Sequence, residues 1–181
     1  MNFIETTLKG SYIIEPKPFV DERGWFARTL CKEEFKQIGH TREWVQMNHS
    51  FTTTTGTIRG MHFQNPPFSE IKLVRCISGS VYDVIIDIRE DSPTFLQWFS
   101  IALSAMNRKM IYIPEGFAHG FQTLSENSEL IYHHSEFYKP GVENGILYND
   151  PIVNIQWPLN ISTISERDQQ HNLITENFIG I

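Results

Sequence analysis

No stretch of this chain sustains an apolar pattern long enough for a substantial helix. Short alternating or continuous apolar runs are instead interrupted every few positions by Gly, Pro, Asn or Ser. Runs rich in Val, Ile, Phe, Tyr or Thr read as strands at residues 11–15, 44–50, 58–63, 71–78, 80–88, 97–103, 110–113, 120–123, 129–135 and 152–155. Many short strands bury their apolar faces only by packing or closing sheets, so the pattern predicts an antiparallel β-sandwich or barrel. Gly79 sits between two runs as a hairpin turn would, and Ser92-Pro93 stops another. Helical signals are confined to two places. Residues 32–38 place Phe35 and Ile38 on one face before Gly39, and residues 165–173 open with Ser165-x-x-Asp168, a capping box with Asp in place of Glu. With 181 residues and no repeat, low-complexity tract or linker, the expectation is one domain spanning 1–181.

Composition excludes several classes. A chain 40% hydrophobic and 20% charged has too many apolar side chains for disorder. Two cysteines, Cys31 and Cys76, make no disulfide scaffold, and a reducing, cytoplasmic location is expected. A net charge of −6 argues against a nucleic-acid partner. No run approaches the roughly 18 uncharged apolar residues of a membrane helix. The start, Met1-Asn2-Phe3-Ile4-Glu5, lacks the basic and apolar regions of a signal peptide.

Two constellations stand out for chemistry. In Arg59-Gly60-Met61-His62-Phe63-Gln64, strand alternation puts Arg59, Met61 and Phe63 on one side and His62 with Gln64 on the other. A histidine turned into a barrel among apolar neighbours would have its pKa tuned for proton transfer. In Pro114-Glu115-Gly116-Phe117-Ala118-His119-Gly120-Phe121, the glycines permit a tight backbone approach around His119. Each alone reads more readily as an incidental histidine, and Lys72, Tyr132 and Asp168 alone read as a surface lysine, a packing tyrosine and a cap. Spacing speaks against a metal: His62 has no His or Glu two residues away, and the adjacent His133-His134 face opposite sides of a strand.

Together the motifs resemble the dTDP-4-dehydrorhamnose 3,5-epimerase family. In order they are Asp21-Glu22-Arg23-Gly24-Trp25-Phe26, Gln46-Met47-Asn48-His49-Ser50, Arg59-Gly60-Met61-His62-Phe63-Gln64 and Lys72-Leu73-Val74-Arg75. Gly79-Ser80-Val81-Tyr82-Asp83-Val84, Ile113-Pro114-Glu115-Gly116-Phe117-Ala118-His119-Gly120-Phe121, Asn149-Asp150-Pro151 and Ser165-x-x-Asp168 follow. The resemblance implies an all-β, cupin-like double-stranded β-helix (jelly roll) with a few short peripheral helices. It further implies a homodimer with an exchanged N-terminal segment, no metal and no cofactor.

The implied activity is epimerisation at C3 and/or C5 of a nucleoside-diphosphate 4-keto-6-deoxyhexose, with dTDP-4-dehydro-6-deoxy-D-glucose as the leading substrate. His62 matches the base and Asp168 its carboxylate partner. Lys72 matches the cation on the C4 oxygen, and Tyr132 the acid on the opposite ring face. Asp83 and His119 match residues that order the proton network. Arg59, Gln46 and Asn48 match diphosphate and sugar contacts. Phe19, Arg23, Phe26 and Arg28 match the exchanged, nucleotide-facing segment, and Tyr138 and Glu143 the region near the base. Arg28 stands where many members carry Glu, and Tyr148 where Trp is frequent. The alternatives are a mono-epimerase, a noncatalytic nucleotide-sugar-binding cupin and a metal-dependent cupin enzyme.

Overall fold

The computed structural model describes all 181 residues and is built almost wholly of strands. In chain order these are β1 (Asn2–Glu5), β2 (Tyr12–Glu15), β3 (Phe19–Asp21) and β4 (Gly24–Phe26). A one-turn helix α1 (Lys32–Phe35), continued by a 3-10 turn (Lys36–Ile38), leads to β5 (Gln46–Thr52), β6 (Ile58–Gln64), β7 (Lys72–Ser78) and β8 (Ser80–Asp87). Then come β9 (Trp98–Ser104), β10 (Met110–Ile113), β11 (Phe117–Thr123), β12 (Ser128–His134), β13 (Glu143–Gly145) and the short helix α2 (Glu166–Gln169). Six strands pair in the order β1-β2-β10-β7-β12-β5 and five in the order β13-β6-β11-β8-β9, with β3 and β4 forming a separate hairpin. All of these pairings are antiparallel.

The period-2 alternation of side chains sorts the core into three layers. Between the sheets, Val74, Cys76, Ile111 and Leu130 of one sheet meet Val81, Ile85, Leu103 and Phe121 of the other. Outside the five-stranded sheet, Met61, Phe63, Val84 and Ile86 pack under Ile146, Val153 and Ile155. Outside the six-stranded sheet, Ile14, Leu73, Met110 and Tyr112 pack under Phe35 of α1, with Trp44 alongside. The inward row is apolar only at one end. Along β7 it runs from Cys76 and Val74 to Lys72, and along β12 from Leu130 to Tyr132 and His134, so the same sandwich that holds a dry core opens into a polar chamber.

Four expectations need correction. Gly79 is not a hairpin turn, because β7 and β8 belong to different sheets; the residue, at φ +70°, carries the chain around a corner where a Cβ would lie 2.6 Å from Ser128 Oγ. Residues 152–155 form no strand, although Val153 and Ile155 alternate into the core. The Asp150 carboxylate accepts the backbone N–H groups of Ile152 and Val153 at 2.9 and 3.1 Å and curls the segment into a turn. The helix expected over 165–173 is a single turn ending at Gln169, with Ser165 capping it as expected by accepting from the Asp168 N–H at 3.1 Å. The fourth concerns Arg59. Between the pairs His119↔His62 and Phe121↔Arg59, β6 holds one more residue than β11. This bulge reverses the alternation and turns Arg59 to the same side as His62.

Candidate active site

The polar chamber is a cavity of about 500 Å³. One wall comes from the five-stranded sheet, through Arg59, His62 and Gln64 of β6 and His119 of β11. The other comes from the six-stranded sheet, through Gln46, Asn48 and Ser50 of β5, Lys72 of β7, and Tyr132 and His134 of β12. The sheets meet where the His119 and Tyr132 rings stand edge to face, 6.2 Å apart. Asp168 and Arg167 of α2, with Tyr138 and Glu143, complete the rim.

His62 Nε2 and Asp168 Oδ1 are 2.8 Å apart. Burial alone would raise the Asp168 carboxyl. The hydrogen bond and charge of His62, with the Gly60 N–H donating to Oδ2 at 3.1 Å, outweigh it and hold the carboxyl at about 2. A carboxylate only accepts, so Nε2 is the nitrogen that donates, and in the neutral imidazole Nδ1 is left with the lone pair. The dyad thus presents an oriented base. Its setting is polar, contrary to the apolar one expected around His62: the His171 ring stands edge to face with it at 5.5 Å, and Glu143 and Arg167 line the same chamber.

On the facing wall the Tyr132 hydroxyl lies 2.9 Å from Ser50 Oγ. Burial pushes its phenol above the ordinary range, with the Ser50 hydrogen bond opposing, so the group keeps its proton at neutral pH. Lys72 is buried rather than solvated, its Nζ 3.1 Å from Glu70 Oε1. Behind His119, Asp83 accepts from Nε2 at 2.9 Å without itself lining the cavity. Burial raises the Asp83 carboxyl against the opposing charges of His119 and Lys72.

Gln46 donates from Nε2 to Asn48 Oδ1 at 3.1 Å and accepts the Tyr138 N–H on Oε1, tying the loop after β12 to β5. Arg59 donates to Thr52 Oγ1 at 3.0 Å, and Arg167 pairs with Glu143 at 2.9 Å. The chain does not bring Phe19, Arg23, Phe26 or Arg28 to its own cavity. Phe19 and Phe26 are cross-strand partners in the β3–β4 hairpin, 77% and 75% exposed. Arg23 pairs with Asp21 and Arg28 with Glu34. Tyr148, the other departure, uses its carbonyl to accept the Trp157 indole N–H at 2.9 Å.

Sequence reading missed Glu70, His134, Arg167 and His171. The first two flank residues already singled out, and strand alternation from Tyr132 puts His134 on the inward face. His171 is brought in by the chain reversal after α2 and gives no local signal. Its Nε2 lies 3.7 Å from Asp168 Oδ1, and burial lowers its pKa, with the His62 charge acting the same way. His62, Asp168 and His171 gather three possible ligand atoms within 4.8 Å of one another, a cluster that spacing along the chain did not disclose. The direct 2.8 Å contact between two of them is that of a hydrogen-bonded dyad. Two ligands around a tetrahedral ion at about 2 Å would stand farther apart.

An imidazole–carboxylate pair, a phenol and a lysine thus share one chamber. The family model described as dTDP-4-dehydrorhamnose 3,5-epimerase matches residues 5–176. The dTDP-4-dehydrorhamnose 3,5-epimerase of Shigella flexneri is 45% identical over 169 residues, 93% of each chain. A crystal structure of the Legionella pneumophila dTDP-6-deoxy-D-glucose-3,5-epimerase, in complex with dTDP-4-keto-L-rhamnose, superposes with a TM-score of 0.91 at 39% identity, covering 95% of this chain and 92% of that one. A 3'-monoepimerase from Streptomyces bikiniensis, in complex with dTDP-quinovose, does so with a TM-score of 0.86 at 29% identity, over 93% and 85%. From motifs, fold and relatives alike, this chain belongs to the dTDP-4-dehydrorhamnose 3,5-epimerase family, a family of isomerases with a cupin-like fold.

Proposed function

We propose that the protein inverts C3 and C5 of dTDP-4-dehydro-6-deoxy-D-glucose to form dTDP-4-dehydro-L-rhamnose. The observation that carries this reading is the convergence of His62–Asp168, Lys72 and Tyr132 on one cavity, with base and acid on different sheets. Both carbons flank the C4 ketone, so one cation placed at the C4 oxygen serves both inversions. The C–H proton passes to His62 Nδ1 and its electron pair moves onto the ketone oxygen as an enolate, which the Lys72 ammonium stabilises. The Asp168 carboxylate holds the ring and favours the imidazolium that results. The enolate carbon then takes the Tyr132 O–H proton from the opposite ring face, inverting the centre. Asp83 fixes His119, which contacts the sugar. Arg59 and Arg167 supply planar guanidinium groups for the diphosphate, and Gln46, Asn48, Tyr138 and Glu143 line the approach.

A homodimer fits the remaining residues. The exposed rings of Phe19 and Phe26, with Arg23 and Arg28, would reach a partner's cavity by exchange of the N-terminal hairpin. No metal or cofactor takes part in these steps, and the free thiols of Cys31 and Cys76 suit a reducing cytoplasm.

The test is incubation with the 4-keto sugar nucleotide in heavy water, followed by NMR at C3 and C5. Deuterium at both carbons is expected, and its absence from both overturns the reading. Deuterium at one carbon alone identifies a mono-epimerase, the activity of the Streptomyces bikiniensis relative. In His62→Ala the uptake rate is expected to fall about a hundredfold or more, since a positioned general base is removed with little core volume.

A further inference from the structure

Lys72 does not stand alone in the chamber. Glu70, in the loop before β7, offers Oε1 to Lys72 Nζ at 3.1 Å and Oε2 to His134 Nδ1 at 2.6 Å. His134 and Lys72 are cross-strand partners, so the carboxylate sits astride both. The side chains of all three are only 9% exposed, and all three line the cavity. His134 is in turn fully engaged. Its Nδ1–H donates to Glu70, its Nε2 lies 3.4 Å from the Asn48 amide nitrogen, which donates to it, and its ring stacks on Tyr132 at 6.2 Å. An imidazole so pinned cannot swing aside, and neither can the carboxylate it holds.

We propose that Glu70, clamped by His134, is the counter-ion that keeps the Lys72 ammonium charged and aimed into the cavity. A buried ammonium without a partner loses its proton readily, and a neutral amine cannot stabilise an enolate. Lys72 shares the chamber with Glu70, His134 and Tyr132 and faces Arg59, His62 and the His119–Asp83 pair of the other sheet, while the remaining carboxylates, Asp168 and Glu143, are paired with His62 and Arg167. Asp83 is committed to His119 at 2.9 Å, and burial raises its carboxyl. Glu70 behaves as the complement of a cation. Burial alone would raise its carboxyl, but the His134 hydrogen bond and the Lys72 charge bring it below the ordinary range. Glu70 and His134 are therefore positioning residues. Their effect on turnover rests on the role of Lys72 proposed above, whereas their effect on the lysine's own charge does not.

The experiment follows that charge directly. In protein carrying 13C-labelled lysine, the Lys72 ε-carbon resonance, identified by its loss in Lys72→Met, is titrated against pH. In Glu70→Gln, which keeps a hydrogen-bonding oxygen but removes the charge, the midpoint is expected to fall by about one pH unit or more. In His134→Gln it falls by less, in the same direction. In Glu70→Gln, kcat is expected to decline at a pH lower than in wild type by the same shift as the lysine midpoint, with KM changed less than about threefold. It recovers as the pH is lowered and the ammonium is restored, which mere loosening of the fold would not produce. An unmoved midpoint in folded Glu70→Gln overturns the proposal. Should that variant fail to fold, an unmoved midpoint in His134→Gln does so. Wild-type protein that takes no deuterium into the sugar, yet whose variants show the shifted midpoint, would reject the epimerase reading and leave the counter-ion standing.

Discussion

At the scale of single residues, the His62–Asp168 pair joins function to stability. Asp168 ionises at about 2 in the folded protein against 3.8 for an unperturbed side chain. A lowered folded value stabilises the native state wherever the unfolded carboxyl is ionised, above about pH 4. That contribution disappears as the pH falls toward 2, where both states are protonated. Its size is on the order of 2 kcal/mol. Asp168→Asn is accordingly expected to be less stable than wild type by about that amount at pH 7, with the gap closing between about pH 4 and 2. Urea unfolding across this range checks it, and a gap independent of pH would remove the carboxylate's charge from the account. Among the residues, His62, Lys72, Tyr132 and Asp168 were legible because the family motifs carry them. Glu70 and His171 were not, because only folding sets Glu70 against His134 and His171 against His62.

Among the elements, β6 shows most plainly how a strand departs from its own pattern. Strict alternation would put Arg59 opposite His62, and the bulge around Gly60 puts both in the cavity. Gly60 makes this possible. Its φ of +132° suits glycine, and a Cβ there would lie 2.5 Å from Gly120 Cα on β11. Gly120 is constrained in return, since its own Cβ would meet Met61 Sδ at 2.6 Å and Arg59 O at 2.7 Å. The two glycines let β6 and β11 approach closely, and the Gly60 N–H is thereby set on Asp168. Gly60→Ala is expected to cost about 3 kcal/mol or more, combining backbone strain with an unrelieved contact. It should also cut epimerisation by disturbing the dyad. Thermal unfolding and deuterium uptake measured together test this, and unchanged values in both would contradict it. The β3–β4 hairpin was missed as strands because its residues have no core to alternate toward. Residues 152–155 were misread for the opposite reason, since they alternate into the core while their amides bond to a side chain.

At the scale of the whole molecule, the chamber is a consequence of packing two sheets whose inward rows change character along their length. The chain leaves Phe19 and Phe26 on the hairpin and Met47 and Phe51 on the edge strand β5 exposed, an apolar surface that a second copy would cover in the proposed dimer. Sedimentation velocity is expected to give twice the 21.1 kDa of the chain. The Phe19→Ser/Phe26→Ser variant should weaken that dimer and raise KM with little change in thermal stability. A wild-type monomer would end the exchange proposal. What the sequence by itself determined was the class of fold and the chemical repertoire, because alternation, turn residues and motifs are local properties of a chain. Which side chains share the chamber was decided by the tertiary structure alone. Bulges, corners between sheets and the reversal after α2 move residues across faces, and a buried charge finds its partner only when distant strands lie side by side.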